Sequence, residues 1–151
     1  MPRFETEVNL GRTVPDVFDF LGRTANLVAV AAPDLRLRLV EGPERLHLGA
    51  RITLKGRRWG VPHRVVSEIT AWEPNALIVE EQRQGSFGRW THAQRLEAVS
   101  GGARVRDELD YEPPGGLLGL TVTAAFLAKD LERVFAYRAG KLRELLGVIS
   151  V

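Results

Sequence analysis

Apolar and polar positions alternate with a period of two along most of this chain. Near the N-terminus Phe4, Thr6, Val8 and Leu10 alternate with charged or polar residues, as in a half-buried strand. The same period returns after residue 35, interrupted by short turn-like stretches rich in Gly, Pro and Asn. It predicts six more strands, near residues 35–41, 48–55, 61–72, 76–84, 89–99 and 103–112. Because each connection is short, an antiparallel meander is the economical topology.

Helical patterns occupy two other parts of the chain. In residues 11–22, Thr13 can cap a short helix and Pro15 suits its first turn. A second short helix is predicted before Pro33. From Leu117 to about Gly147 the pattern predicts one long helix, with apolar residues at three- and four-residue steps. These are Leu120, Ala124, Leu127, Leu131, Val134, Leu142, Leu145 and Ile149.

A stripe of this length needs a partner surface, and the sheet is the available one. The order of elements is strand, two short helices, six strands and a long helix. It predicts an α+β fold in which an antiparallel, seven-stranded curved sheet wraps around the C-terminal helix. We expect residues 1–151 to form a single domain, since this length suits one core.

Composition narrows the possible functions. Basic and acidic residues number 21 and 19, and a net charge of +2 is too small to argue for nucleic-acid binding. The chain has no cysteine, which excludes disulfides and thiolate chemistry. No apolar run is long enough for a membrane span, and the N-terminus lacks a signal-peptide pattern. A cytoplasmic location is therefore the default expectation.

The element order resembles the helix-grip fold of the START-like (SRPBCC) superfamily, which includes Bet v 1-like proteins, polyketide cyclases and coenzyme-Q-binding START proteins. Three segments carry the resemblance. "GSFGRWTHAQRLEAV" is similar to a G-x-F-x-x-W-x-H segment of small bacterial members, "ARVRDELDYEPPGG" to their last strand, and "LERVFAYRAGKLRELL" to the end of their long helix. The resemblance implies a cavity between sheet and helix for an apolar or aromatic ligand. It also implies that catalysis is not required, since many members are not enzymes.

The last two predicted strands place an unusual mixture of side chains on one face. If Gly101 and Gly102 form the hairpin turn, His92 faces Tyr111, Gln94 faces Leu109 and Leu96 faces Asp107. The opposite face is charged and belongs to solvent, so the mixed face looks toward the helix. Buried polar groups without partners cost about 1–3 kcal/mol each. They either bond to one another or line a ligand pocket, and we favour the pocket.

This hypothesis assigns ligand-binding roles to residues of the sheet and the helix. Arg138 lies on the helix stripe, where its head either reaches water or bonds to Asp107 or an anionic ligand group. His63 either lines the pocket or is a hydrogen-bonded core histidine. Phe87 with Gly115 and Gly116 could gate the pocket, or simply belong to turns. The predicted ligand-binding set is Trp90, His92, Gln94, Leu96, Asp107, Leu109, Tyr111, His63, Leu120, Ala124, Leu127 and Arg138.

Three functions remain open. We favour a small-molecule binding protein for an apolar or aromatic, lipid-like ligand. The alternative is an enzyme resembling a polyketide cyclase or dehydratase, with His92 or Tyr111 as acid or base. A His92–Asp107 pair is disfavoured, because the predicted register separates the two residues by about 13 Å along the strand.

The third function is that of a partner-binding accessory protein. For all three functions we expect neither a cofactor nor a metal. The predicted hairpin tip at 54–60 carries Lys55, Arg57, Arg58 and Trp59. It either contacts a membrane surface or an acidic partner, or is a solvated turn with one half-buried tryptophan, which we favour. The histidines are on separate segments without metal-ligand spacing. A monomer and a homodimer both remain possible.

Overall fold

The computed structural model describes residues 2–149 of the chain. Within that range the helices are α1 (Val14–Leu21), α2 (Ala25–Ala29), α3 (Gly116–Thr121) and α4 (Ala124–Leu146), with a 3-10 turn at Pro33–Leu35. The strands are β1 (Arg3–Leu10), β2 (Arg38–Glu41), β3 (Arg51–Arg58), β4 (Val61–Glu73), β5 (Leu77–Gln84), β6 (Arg89–Val99) and β7 (Gly102–Glu112). All the predicted strands are present.

The strands form one antiparallel sheet in the order β1-β7-β6-β5-β4-β3-β2. Irregular pairing in β2 and β4 bends the sheet, as β-bulges do. Helix α4 packs across the β1 side, where the rings of Phe4 and Phe135 are 5.1 Å apart. The predicted α+β architecture, a curved seven-stranded sheet that grips a long C-terminal helix, is confirmed.

The prediction of one continuous helix from Leu117 to Gly147 is wrong. The chain leaves the helical conformation at Val122 and Thr123, whose backbones are extended. Thr123 then caps α4, because its Oγ1 accepts a hydrogen bond from the Phe126 amide at 3.1 Å. The apolar periodicity continues through this break, which is why the pattern did not reveal it.

The predicted turn between β6 and β7 is also wrong. Val99 pairs with Gly102, so the turn residues are Ser100 and Gly101. Gly101 has the positive φ of 86° that such a turn requires. Gly102 instead lies in the strand, where an added Cβ would be 1.9 Å from the carbonyl oxygen of Leu10. The true register is shifted by two residues, which preserves each face but changes every cross-strand partner.

Buried apolar residues in the described range form two clusters at opposite ends of the molecule. One lies beneath α1 and α2 and includes Leu10, Ile69, Ile78 and Leu142. The other lies near the β3–β4 hairpin and consists of Phe87, Leu109, Tyr111, Val122, Leu127, Leu131 and Phe135, with Trp59 and Trp90 packed against it. Along β6, β7 and α4, the residues between these clusters are polar.

Candidate ligand-binding site

Four polar side chains meet where β6 and β7 face α4, and we call them the polar layer: His92, Gln94, Asp107 and Arg138. His92 Nε2 lies 2.8 Å from Asp107 Oδ1. Arg138 donates through Nη1 to Asp107 Oδ2 at 2.7 Å and through Nη2 to Gln94 Oε1 at 2.6 Å. Asp107 is only 2% exposed, so these bonds replace the water that its carboxylate lost on folding.

The charge state of Asp107 fixes the proton on its histidine partner. Burial raises the pKa of Asp107, but the charge of Arg138 and the hydrogen bonds from His92 and Arg138 outweigh burial and lower that pKa overall. Asp107 is therefore ionised at neutral pH and offers acceptors alone. Because the carboxylate can only accept, Nε2 of His92 must carry the proton of the short contact.

These contacts correct the expected geometry. His92 faces Leu109 rather than Tyr111, and Gln94 faces Asp107. Asp107 is then two residues from the direct partner of His92, and the two side chains are hydrogen-bonded across this diagonal. The expectation that they are too far apart to bond is wrong. Of the two alternatives for Arg138, the structure shows the contact with Asp107.

Side chains fill the space between α4 and the β6–β7 end of the sheet, where the ligand was predicted. Phe87 is central, with ring centroids 4.6 Å from Trp90, 5.5 Å from Trp59 and 6.2 Å from Tyr111. Leu127 is completely buried against this group. Phe87, which was considered as part of a gate, is packed within this cluster and only 7% exposed.

Most of the helix residues that were predicted to line the ligand site lie elsewhere. Leu120 is 78% exposed and Ala124 is also exposed, so neither lines an interior space. The break at Val122 and Thr123 separates Leu120 from α4, and Ala124 is the first residue of α4 after the break. Phe135, absent from the predicted stripe, is buried instead, and its ring meets His92 edge-on at 5.4 Å. Gly115 and Gly116 lie at the start of α3.

A partly open cavity of about 110 Å³ remains beside the filled region, on the β3–β6 side. Its apolar walls come from the sheet, from the 85–88 loop and from the segment after the 3-10 turn. Trp90 and His63 belong to its lining, whereas His92, Gln94, Leu96, Asp107, Leu109, Tyr111, Leu127 and Arg138 do not. The lining is Leu35, Leu37, Leu54, Arg58, His63, Val65, Glu80, Gln82, Ser86, Phe87 and Trp90.

Two local features shape this cavity. Gly56 lets the segment carrying Leu35 cross β3 closely, since an added Cβ would be 2.4 Å from the Leu35 carbonyl oxygen. On the opposite side His63 Nδ1 lies 2.9 Å from Ser86 Oγ. Burial and the nearby charge of Arg58 lower the pKa of His63, so this imidazole is neutral at neutral pH. The cavity thus contains a neutral hydrogen-bonding pair.

The β3–β4 hairpin supplies the cationic wall of the cavity. Trp59 adopts a left-handed φ of 53°, which costs about 1–3 kcal/mol in a non-glycine residue. Its indole turns inward and donates to Asp130 Oδ2 at 3.0 Å. Arg58 also reaches Asp130, at 3.3 Å, and its guanidinium lies 5.1–5.9 Å from the centroids of Trp59, Phe87 and Trp90. Trp59 is therefore half-buried, as expected for this turn, whereas the side chain of Arg58 is buried where a solvated one was expected.

Sequence reasoning missed several residues of this region. Arg58 was assigned to a surface tip, and Glu80 and Gln82 were not considered. The available signal was the alternation of β5, which places Ile78, Glu80 and Gln82 on one face. In residues 2–149 no group of three His, Cys, Asp or Glu is arranged to hold a metal ion. No helix in the same range is long and apolar enough to cross a membrane.

Comparisons with known sequences do not assign the chain to a family. No family model matches the chain. It is 27% identical over 103 residues to the uncharacterized protein Rv0088 of Mycobacterium tuberculosis, a match that covers 62% of this chain and 45% of that protein. The chain therefore spans less than half the length of this curated relative.

Two solved structures are similar over nearly their whole length. Protein CV1439 from Chromobacterium violaceum has a TM-score of 0.76 at 11% identity, covering 97% of this chain and 99% of that one. The ginseng major latex-like protein 151 from Panax ginseng, a Bet v 1-like protein, has a TM-score of 0.69 at 12% identity, covering 96% and 97%. This likeness is consistent with a START-like fold and shows the fold alone.

Proposed function

We propose that this protein binds a small molecule that places an apolar or aromatic group in this cavity. The cavity itself carries the proposal, because a space of about 110 Å³ persists between half-buried side chains beside a close-packed aromatic cluster. Its walls combine apolar side chains with a few polar groups, which is the usual composition of a ligand site. The similarity of the fold to a Bet v 1-like protein supports the proposal.

The size of the cavity limits the ligand. It is close to the roughly 150 Å³ that accommodates benzene in an engineered core, and far below the roughly 300–1,000 Å³ that encloses a drug-sized molecule. One ring or a short branched alkyl group fits inside. The rest of a larger ligand must pass out beside the hairpin or the 85–88 loop. A whole lipid does not fit the cavity as it stands.

The polar wall residues favour a ligand with one hydrogen-bonding substituent. His63 and Ser86 can exchange their mutual bond for bonds to the ligand, and Arg58 adds a positive charge. Burying about 150 Å² of ring surface contributes about 4 kcal/mol before the cost of association, which leaves the Kd of a single ring at about 1 mM or weaker. A single ring is therefore a weak ligand, and atoms outside the cavity must supply any tighter binding.

A cavity-filling substitution tests the proposal. Val65 lines the cavity, while Val66 next to it points to the other face of β4. We expect phenol to bind the wild-type protein and Val66→Phe in ligand-observed NMR, and to lose binding to Val65→Phe. Equal phenol binding to Val65→Phe and to the wild type would contradict this site. Native mass spectrometry before and after organic extraction identifies any ligand that co-purifies.

The His92–Asp107 pair supports acid–base catalysis as a second candidate function. A histidine whose ring is held by a carboxylate at 2.8 Å has the geometry of an oriented acid–base group. Trp90, two residues earlier on the same face of β6, lines the cavity and brings this pair close to it. The reaction class would be the cyclisation or dehydration of a poly-β-ketone, with Tyr111 as the other candidate acid.

Two substitutions separate the candidate acid and base. If His92 moves the proton, His92→Gln abolishes turnover of a poly-β-ketone while Tyr111→Phe retains it, and the reverse pattern assigns the role to Tyr111. A wild-type protein that binds such a substrate without converting it would exclude the catalytic function and leave the binding function intact.

A further inference from the structure

Five basic side chains gather on one surface, which we call the basic ridge: Arg36, Arg38, Lys55, Arg57 and Arg64. They line a groove of about 490 Å³ together with Gly56, Pro62 and His63, and no acidic residue belongs to its lining. Within residues 2–149 none of the five forms an ion pair, whereas Arg51 and Arg58, at the two ends of β3, do. The ridge is a concentrated positive surface on a protein whose net charge is only +2.

The strand register places these charges directly against one another. Lys55 on β3 is opposite Arg38 on β2 and opposite Arg64 on β4. Like charges in opposed positions destabilise a sheet. The same strands also show the favourable arrangement, since Arg51 is opposite Glu68 and bonds to it at 2.9 Å. No acidic residue in the lining of the groove offsets this repulsion, and an anionic partner would offset it.

Exposed apolar side chains adjoin the ridge. A cleft of about 760 Å³ joins Arg36 and Arg57 to Phe126 on the first turn of α4. Its two acidic residues, Asp34 and Asp130, are paired with Arg133. Phe126 is 48% exposed, and Leu117 and Leu120 on the preceding α3 are 85% and 78% exposed. Cations and bare apolar side chains at one end of a molecule are the combination that binds an interface between water and lipid.

We propose that the basic ridge and these apolar side chains dock the protein on an anionic phospholipid membrane. The ridge contacts the headgroups, while Leu117, Leu120 and Phe126 enter the boundary with the acyl chains. Single-stranded nucleic acid is the weaker fit, because it stacks successive bases on several aromatic rings, whereas Phe126 stands beside exposed leucines and Asp130 holds the indole of Trp59. This inference goes beyond ligand binding and does not depend on the cavity.

Vesicle co-sedimentation tests the docking surface. The wild-type protein should bind vesicles that contain 30% phosphatidylglycerol, bind pure phosphatidylcholine much less, and dissociate as salt is raised. Each Lys or Arg near an anionic surface strengthens binding about fivefold, so Lys55→Gln with Arg57→Gln should weaken it about 25-fold. Arg12→Gln with Arg143→Gln is the matched control, because both residues lie at the other end of the sheet.

The apolar half of the surface needs its own variant. Leu117→Ser with Leu120→Ser should weaken vesicle binding while the circular dichroism spectrum stays unchanged. Equal loss in the control pair would overturn the proposal, as would unchanged binding of the ridge variant. Binding to duplex or single-stranded oligonucleotides that exceeds vesicle binding and is indifferent to the leucine variant would overturn it in favour of a nucleic acid.

Discussion

Arg138 on α4 and Asp107 on β7 form a buried ion pair at 2.7 Å that ties the helix to the sheet. The side chains are 13% and 2% exposed, so both charges have left most of their water behind. A buried pair is weak evidence for stability, because desolvation offsets the attraction, but an unpaired buried charge is costly. The second bond from Arg138, to Gln94, fixes the rotation of α4 as well as its position.

Removing one member of this pair should destabilise the fold more than removing both. We expect Arg138→Met to cost about 3–5 kcal/mol, because Asp107 stays buried without its partner. Arg138→Met with Asp107→Leu should recover much of that loss. Urea unfolding of both variants measures the difference, with Arg143→Met on the exposed face of α4 as the control. A double variant less stable than Arg138→Met would contradict the account.

Stability should fall in acid through Asp107. Its pKa is lower in the folded protein than in the unfolded chain, where it is about 3.9. The ionised carboxylate therefore stabilises the fold above that pH, and the contribution disappears as pH falls through the lower folded value. The free energy of unfolding should decrease from pH 5 to pH 3, and less steeply in Asp107→Asn. Identical slopes in urea titrations of the two proteins would refute this.

A single substitution in the basic ridge should raise stability while weakening membrane binding. Lys55→Glu places an acid opposite Arg38 and Arg64, and each exposed ion pair contributes about 0.2–1 kcal/mol. We expect an increase in Tm of a few degrees, since 1 kcal/mol corresponds to about 2–4 °C at this size. Lys55→Gln should lie between the wild type and Lys55→Glu in both Tm and vesicle affinity. A lower Tm for Lys55→Glu would mean that the row is not repulsive.

Removing Phe87 should enlarge the cavity. Its ring separates the interior space from Tyr111, so Phe87→Ala should admit a two-ring ligand such as naphthalene, which the wild type excludes. The substitution costs about 3–5 kcal/mol, as for other buried aromatic residues. Phe135→Ala removes an equally buried ring that does not line the cavity. If naphthalene binds both variants alike, in ligand-observed NMR, Phe87 is not the limiting wall.

The strands and their inward faces could be predicted because alternation is a local property of the sequence. The register of β6 and β7 could not, because Ser100–Gly101 and Gly101–Gly102 are both acceptable turns. The choice depends on a contact with Leu10, which is remote in sequence. Since the shift is two residues, the inward face was predicted correctly while the bonding between His92 and Asp107 was not.

The location of the remaining cavity depends on packing that no periodicity records. The pattern shows that Trp90 and Tyr111 point inward, but not that Phe87 fills the space between them. Nor does it show that Trp59 turns into the core, because a left-handed tryptophan is uncommon in a hairpin turn. Both facts emerge from several elements meeting at the same end of the sheet.

The polar layer joins β6, β7 and α4, whereas most of the cavity wall belongs to β3, β4, β5 and the segment before β2. The attachment of the helix and the proposed ligand site thus depend on different strands. Substitutions at Leu54 and Val65 can therefore alter the proposed ligand site without loosening the attachment of α4. Ligand specificity can change in this way while the sheet and the helix keep their arrangement.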